Sequence, residues 1–190
     1  MLREDVVMVF SWIFAPVSRE DWESVTEERV WRSFIEAVAS CVANSPSATE
    51  ALNRLETPPT FEEKLQFAAL HFTGGLPSSA QAIESLYVPS EDTGAFEYCG
   101  KSARYMRDLI RSLGSEVPQA FSDCPDHLSL ELEISAHLLR HDAQSAREFI
   151  SNRFAWLDSY AQRLSSIEAD ASFYAAAVGV LGAVLDAWCE

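Results

Sequence analysis

The stretch Cys124-Pro125-Asp126-His127-Leu128-Ser129-Leu130-Glu131-Leu132-Glu133 decides how this chain is read. Cys124-Pro125 makes a turn, and the Asp126-His127 pair after it opens a helix. Leu128, Leu132 and Leu139 then share one side, while His127, Glu131 and Ile134 share another. Spacings of three, four and seven residues belong to a helix and not to a strand. Asp126 is the expected N-cap, its carboxylate accepting from the first backbone N–H groups, a contact worth about 1 kcal/mol.

The same periodicity extends in both directions. A first helix is expected over Arg3 to Phe14, ended by Pro16. Ser18-x-x-Asp21 caps a short helix, and a longer one runs from about Glu27 to Ala43 with Val30, Phe34, Val38 and Cys41 at helical spacing. Trp12, Trp22 and Trp31 are the large core fillers of this region. Ser47-x-x-Glu50 and Thr60-x-x-Glu63 read as capping boxes. The second opens a helix holding Phe61, Leu65 and Phe72, stopped by Gly74-Gly75 with Pro77 soon after. From Leu76 to Thr93 the chain reads as loop, although it carries Leu86, Tyr87 and Val88. Helix resumes over Ala95 to Leu113, with Gly114 as its cap, and Ser115 to Pro125 is loop again. Three more helices are expected: Asp126 to His141, Ala143 to Ile167 and Ala169 to Trp188. With 7 glycines and 8 prolines in 190 residues and no sustained alternation, the expectation is all-α. The reading is one single-domain helical bundle over residues 1–190 with antiparallel neighbours.

Composition narrows the function. Hydrophobic residues make up 48% and aromatics 11%, enough for a packed core. Asp and Glu number 29 against 14 Lys and Arg, a formal net charge of −15. Such a field repels a phosphate backbone, so nucleic acid is not an expected partner, and it attracts a basic peptide. Cys41, Cys99, Cys124 and Cys189 lie far apart with no C-x-x-C pair, so reduced, buried thiols are expected. The apolar run Val6 to Val17 has the length of a signal-peptide core, but Glu4 and Asp5 precede it where positive charge belongs. It reads as a buried first helix. The run Phe173 to Leu185 falls short of the roughly 20 residues that span a bilayer. The chain is expected to be neither exported nor stably inserted in a membrane.

No catalytic residue can be assigned. A G-x-S-x-G element and a phosphate-binding Gly-Lys-Ser/Thr loop are both missing, and no cofactor is expected. His137 and His141 share a helix face but lack a third metal ligand, so no metal is expected. Lys101, Arg104, Arg107 and Arg111 form a basic stripe expected to pair with the acidic surface.

Several stretches together resemble the TorD/DmsD/NarJ chaperones that mature molybdenum-dependent reductases. One is Phe72-x-Gly74-Gly75 followed by Glu84-Ser85-Leu86-Tyr87. Another is Tyr105 and Gly114 ahead of Pro125-Asp126-His127-Leu128-x-x-Glu131-Leu132. The third is Phe149-Ile150 through Phe154 and Trp156. The late helix departs from the pattern, with Asn152-Arg153-Phe154 where the family commonly has a His-Leu pair. The resemblance implies an all-helical fold of the TorD-like type and a non-enzymatic, cytoplasmic role. It implies binding of the twin-arginine signal peptide of a molybdopterin oxidoreductase subunit, with export delayed until the cofactor is inserted. It implies a monomer or a domain-swapped homodimer. By resemblance, the loops at Glu84 to Tyr87 and Pro125 to His127 line one groove. Phe72, Leu86, Tyr87 and His127 would meet the apolar part of the leader, and Glu84, Asp126 and Glu131 would face its arginines, with Ser85 and Pro125 shaping the groove. The alternatives that the residues leave open are a small-molecule-binding helical regulatory domain and a metal-dependent hydrolase on a helical bundle.

Overall fold

A computed structural model describes residues 1–73, 75, 78–90, 94–168 and 170–189. The α-helices are α1 (Arg3–Phe14), α2 (Arg19–Val25), α3 (Glu28–Val42), α4 (Pro46–Leu52), α5 (Phe61–Phe67), α6 (Lys101–Ser112), α7 (Leu128–His141), α8 (Ala143–Arg153), α9 (Leu157–Ser166) and α10 (Ser172–Cys189). A π-helical turn, Ala68–Phe72, continues α5. Among the described residues no strand forms, and the one extended pairing is an isolated antiparallel bridge between Ile83 and His127. The all-α expectation holds.

Helix α1 runs along α7, and α10 packs against α3, α4, α8 and α9. Val6, Val7, Phe10, Ile13 and Phe14 give α1 a buried face, met by Leu128, Leu132 and Ala136 of α7 in a shared core. The α1–α7 contact is also polar, because Ser129 Oγ donates to the Ser11 carbonyl at 3.2 Å. Helix α10 is apolar and long enough by composition to cross a membrane, yet half of it is buried within this fold. The buried indoles are satisfied: Trp22 donates to the Pro59 carbonyl and Trp31 to the Leu55 carbonyl, at 3.0 and 2.7 Å.

Several boundaries differ from the sequence reading for identifiable reasons. Ser45, not Ser47, caps α4, because Pro46 takes the first helical position where its missing N–H costs nothing. Helix α6 starts at Lys101 instead of Ala95. The preceding residues make a tight turn with Cys99 at φ +55° and the Gly100 N–H bonded to the Glu97 carbonyl at 2.8 Å. A side chain at Gly100 would meet Glu97 at 2.7 Å. Gly114, at φ +75°, does cap α6, with its N–H on the Arg111 carbonyl and that of Ser115 on Ile110. The single helix expected over 143–167 is two. Phe154 and Trp156 are both buried, and residues two apart cannot face the same side of one helix, so the chain breaks between α8 and α9. Gly74, Leu76, Pro77, Thr93 and Ala169, at the expected ends of elements, lie outside the described residues.

The thiols were expected to be reduced. Cys99 and Cys124 are instead bonded, with Cα atoms 5.2 Å apart, while Cys41 and Cys189 are free. Linear spacing hid the pair, because the turn before α6 folds back onto the loop before α7.

Candidate functional site

The two loops singled out by sequence meet along a short seam. The Glu84 N–H donates to the Asp126 carbonyl at 3.0 Å, and the Leu128 N–H donates to the Ala82 carbonyl at 2.8 Å. The Asp126 side chain does not cap α7. Its Oδ2 accepts from the Ser85 N–H at 2.9 Å, across the seam. His127 caps the helix instead, its Nδ1 accepting from the Ser129 N–H at 3.2 Å. A third strand of chain is tied in, since the Cys99 N–H donates to Ser85 Oγ at 3.1 Å and Cys99 is bonded to Cys124.

Beneath the seam lies buried charge. Glu84, Asp126 and Glu131 are 4%, 0% and 0% exposed. Arg153, the last residue of α8, pairs with Glu84 and with Glu131 Oε1, the latter at 3.3 Å. The other Glu131 oxygen accepts from the Trp156 indole at 3.2 Å. Burial, then the neighbouring Asp126 charge, pushes the Glu131 carboxyl well above the usual range. Burial lowers Arg153 to about 10. Tyr87 stacks on Trp156 at 5.5 Å, and its hydroxyl donates to the Gln81 carbonyl at 2.9 Å.

A cleft opens on each side of the seam. The first, about 320 Å³, is walled by Glu84, Ser85, Glu97, Lys101, Tyr105 and Arg153. The second, about 340 Å³, is walled by Phe14, Phe72, Ile83, Tyr98, Phe121 and His127. The Phe121 and His127 rings lie 4.9 Å apart. Under the second cleft Lys64 is 3% exposed, its Nζ donating to the Ile13 carbonyl at 2.7 Å and lying 4.8 Å from the Trp22 ring. Burial lowers Lys64 to about 7. Burial, with the Lys64 charge adding to it, lowers His127 to about 4.

The family model for the nitrate reductase delta subunit matches residues 36–170. The chain belongs to that family. Similar proteins include "Chaperone protein TorD" from two strains of Vibrio cholerae, each 29% identical over 93% of this chain and 87% of the relative. A protein of the same name from Shewanella amazonensis is 27% identical over 65% of this chain and 52% of its own length. No solved structure matches. The kinship with TorD-type proteins read from the loop elements is therefore shown, and these relatives are chaperones rather than enzymes.

In this delta-subunit family member, Phe72 and His127 line the second cleft, and Glu84 and Ser85 line the first. Leu86 and Tyr87 are half-buried, and Pro125, Asp126 and Glu131 are buried behind the surface. The expected single groove is thus two clefts sharing a wall. Reading by sequence missed Arg153, Trp156 and Phe121 as members of the site. Arg153 had one signal, its place where the family commonly carries another residue type. Of the basic stripe, Arg107 donates to the Ser122 carbonyl at 3.2 Å. Among the described residues Arg104, Arg107 and Arg111 form no ion pair. The His137 and His141 rings lie 4.7 Å apart, tilted by 50°, and among the described residues no group of three His, Cys, Asp or Glu side chains is placed to hold a metal.

Proposed function

We propose that this protein is a cytoplasmic chaperone that binds the twin-arginine leader of a molybdopterin-containing reductase subunit, and delays its export until the cofactor is inserted. The observation that carries this reading is the seam. The two stretches that resemble leader-binding elements pair backbone to backbone through Ile83 and His127, and each lines a cleft. The apolar part of the leader lies in the second cleft against Phe72 and His127. Its arginines approach the first cleft, where Glu84 and Glu97 are the carboxylates on the wall. Ser85, Leu86, Tyr87, Pro125, Asp126 and Glu131 hold the walls in place. A helix or extended segment laid in an apolar groove is a common recognition mode, and guanidinium–carboxylate pairing adds direction to it.

The net charge of −15 favours encounter with a basic segment. Both clefts are open, which suits a chain segment better than an enclosed small molecule. Calorimetric titration with a synthetic twin-arginine leader and its twin-lysine counterpart tests the proposal. Binding of the arginine form, weakened at least tenfold in the lysine form, is the expected result. Equal binding of the two, or no binding of either, defeats it.

A further inference from the structure

We propose that Arg153 is a built-in stand-in for a leader arginine: its guanidinium fills the seat offered by Glu84 and Glu131, and an incoming arginine displaces it from Glu84. This rests on the leader-binding reading above.

The seat is assembled from both recognition elements. Glu84 belongs to the first stretch and Glu131 to the second, and one nitrogen of Arg153, Nη2, reaches both. The pair is accessible from only one side. Glu84 and Arg153 both line the first cleft, whereas Asp126 and Glu131 lie behind them at 0% exposure.

Arg153 is held incompletely. A guanidinium carries five N–H donors in a rigid fork. Both ion pairs use Nη2, and Nε is buried without a partner among the described residues. Asp126 Oδ1 is also buried without one. Buried ion pairs repay their desolvation only when the remaining donors and acceptors are satisfied. An arginine arriving through the cleft can use its fork on Glu84, whereas a lysine offers a compact point charge that cannot.

Arg153 also has somewhere to go. Its Cζ lies 4.7 Å from the Tyr105 ring, and Tyr105 is 46% exposed on the wall of the same cleft. A guanidinium released from Glu84 can remain over that ring and on Glu131, so that the three carboxylates face two guanidinium groups.

The occupied seat lowers apparent affinity by the fraction of molecules in which it is vacant. The test is calorimetric titration of the full chain with a twin-arginine leader and with a version carrying glutamines at both positions. The proteins compared are wild type, Arg153→Lys and Tyr105→Ala. Arg153→Lys is expected to bind the arginine leader about tenfold more tightly than wild type. The glutamine leader should bind both alike. Tyr105→Ala, a change at an exposed position, should weaken only the arginine leader, about threefold. Thermal melts of the free proteins record any structural cost separately. An arginine leader that binds folded Arg153→Lys no more tightly than wild type, with Tyr105→Ala unchanged, overturns the stand-in while leaving the leader reading intact. Failure of wild type to bind the arginine leader overturns both.

Discussion

The two clefts share one wall and differ in how many charged and how many aromatic side chains line them. On one side of the seam the wall carries Glu84, Glu97, Lys101 and Arg153. On the other it carries Phe14, Phe72, Ile83 and Phe121. On the leader-binding proposal, this difference across one backbone pairing divides recognition in two: the charged side meets the arginines and the aromatic side meets what adjoins them. It also means that the two clefts respond to different perturbations, which makes the comparison breakable.

The largest effect is expected on the charged side. Glu131→Ala removes the acceptor of the Trp156 indole and one of the two carboxylates that hold Arg153. Arg153 keeps Glu84, but the Trp156 indole and one Arg153 contact lose their buried acceptor, at about 1–3 kcal/mol for each donor left unsatisfied. Urea denaturation should show a loss of that order. A loss below about 1 kcal/mol would mean that the charged floor does not hold the seam together.

A smaller effect is expected from pH on the apolar side. His127 is lowered from the ordinary histidine value of 6.5 to about 4. The folded protein therefore binds fewer protons than the unfolded chain between those values. Its contribution is fully present above about 6.5 and is lost as pH falls toward 4. Geometry gives the same sign, because protonating Nδ1 destroys the acceptor that caps α7 and puts positive charge at a helix N-terminus. Other carboxyl groups titrate in this range, so the measurement is the melting temperature of wild type minus that of His127→Asn, which keeps a capping acceptor. The difference should be flat above pH 6.5 and decline by several degrees, about 3 kcal/mol, by pH 4. A flat difference throughout would show that His127 is not held neutral by its surroundings.

What the sequence makes legible follows the same division. Helix α1 matches its expected span because a proline ends it and a clean apolar face defines it. The Thr60 capping box and the Gly114 cap are equally local, and both appear as read. The helix break at Phe154–Trp156 is not local. It depends on two large rings needing the same core, and a helical period continues through it on paper. The burial of the three carboxylates is the least legible feature. Glu84, Asp126 and Glu131 are expected by resemblance to face a leader's arginines, and a sequence does not show that all three are buried. Their partners, Arg153, Trp156 and the Ser85 N–H, come from distant segments brought together by packing. The kinship was legible because both loop elements are contiguous, whereas the floor joining them is not.

The smallest effect on stability, and the sharpest test of the division, is expected from Phe121→Ala. Phe121 ends a short 3₁₀ turn, Gln119–Phe121, in the loop before α7, and it is only partly buried. Truncating it removes one ring contact with His127 and should change unfolding free energy by about 0.5 kcal/mol or less. Yet it strips the rim of the second cleft of an aromatic anchor, and anchors of this kind carry about 1–2 kcal/mol of binding. The leader should therefore bind roughly tenfold more weakly. The decisive detail is that this loss should be the same for the arginine leader and for its glutamine version. Changes at Arg153 or Tyr105 act through the other cleft and should depend on the arginines. If Phe121→Ala discriminated between the two leaders, the clefts would be reading the same part of the peptide, and the division of labour across the seam would be wrong.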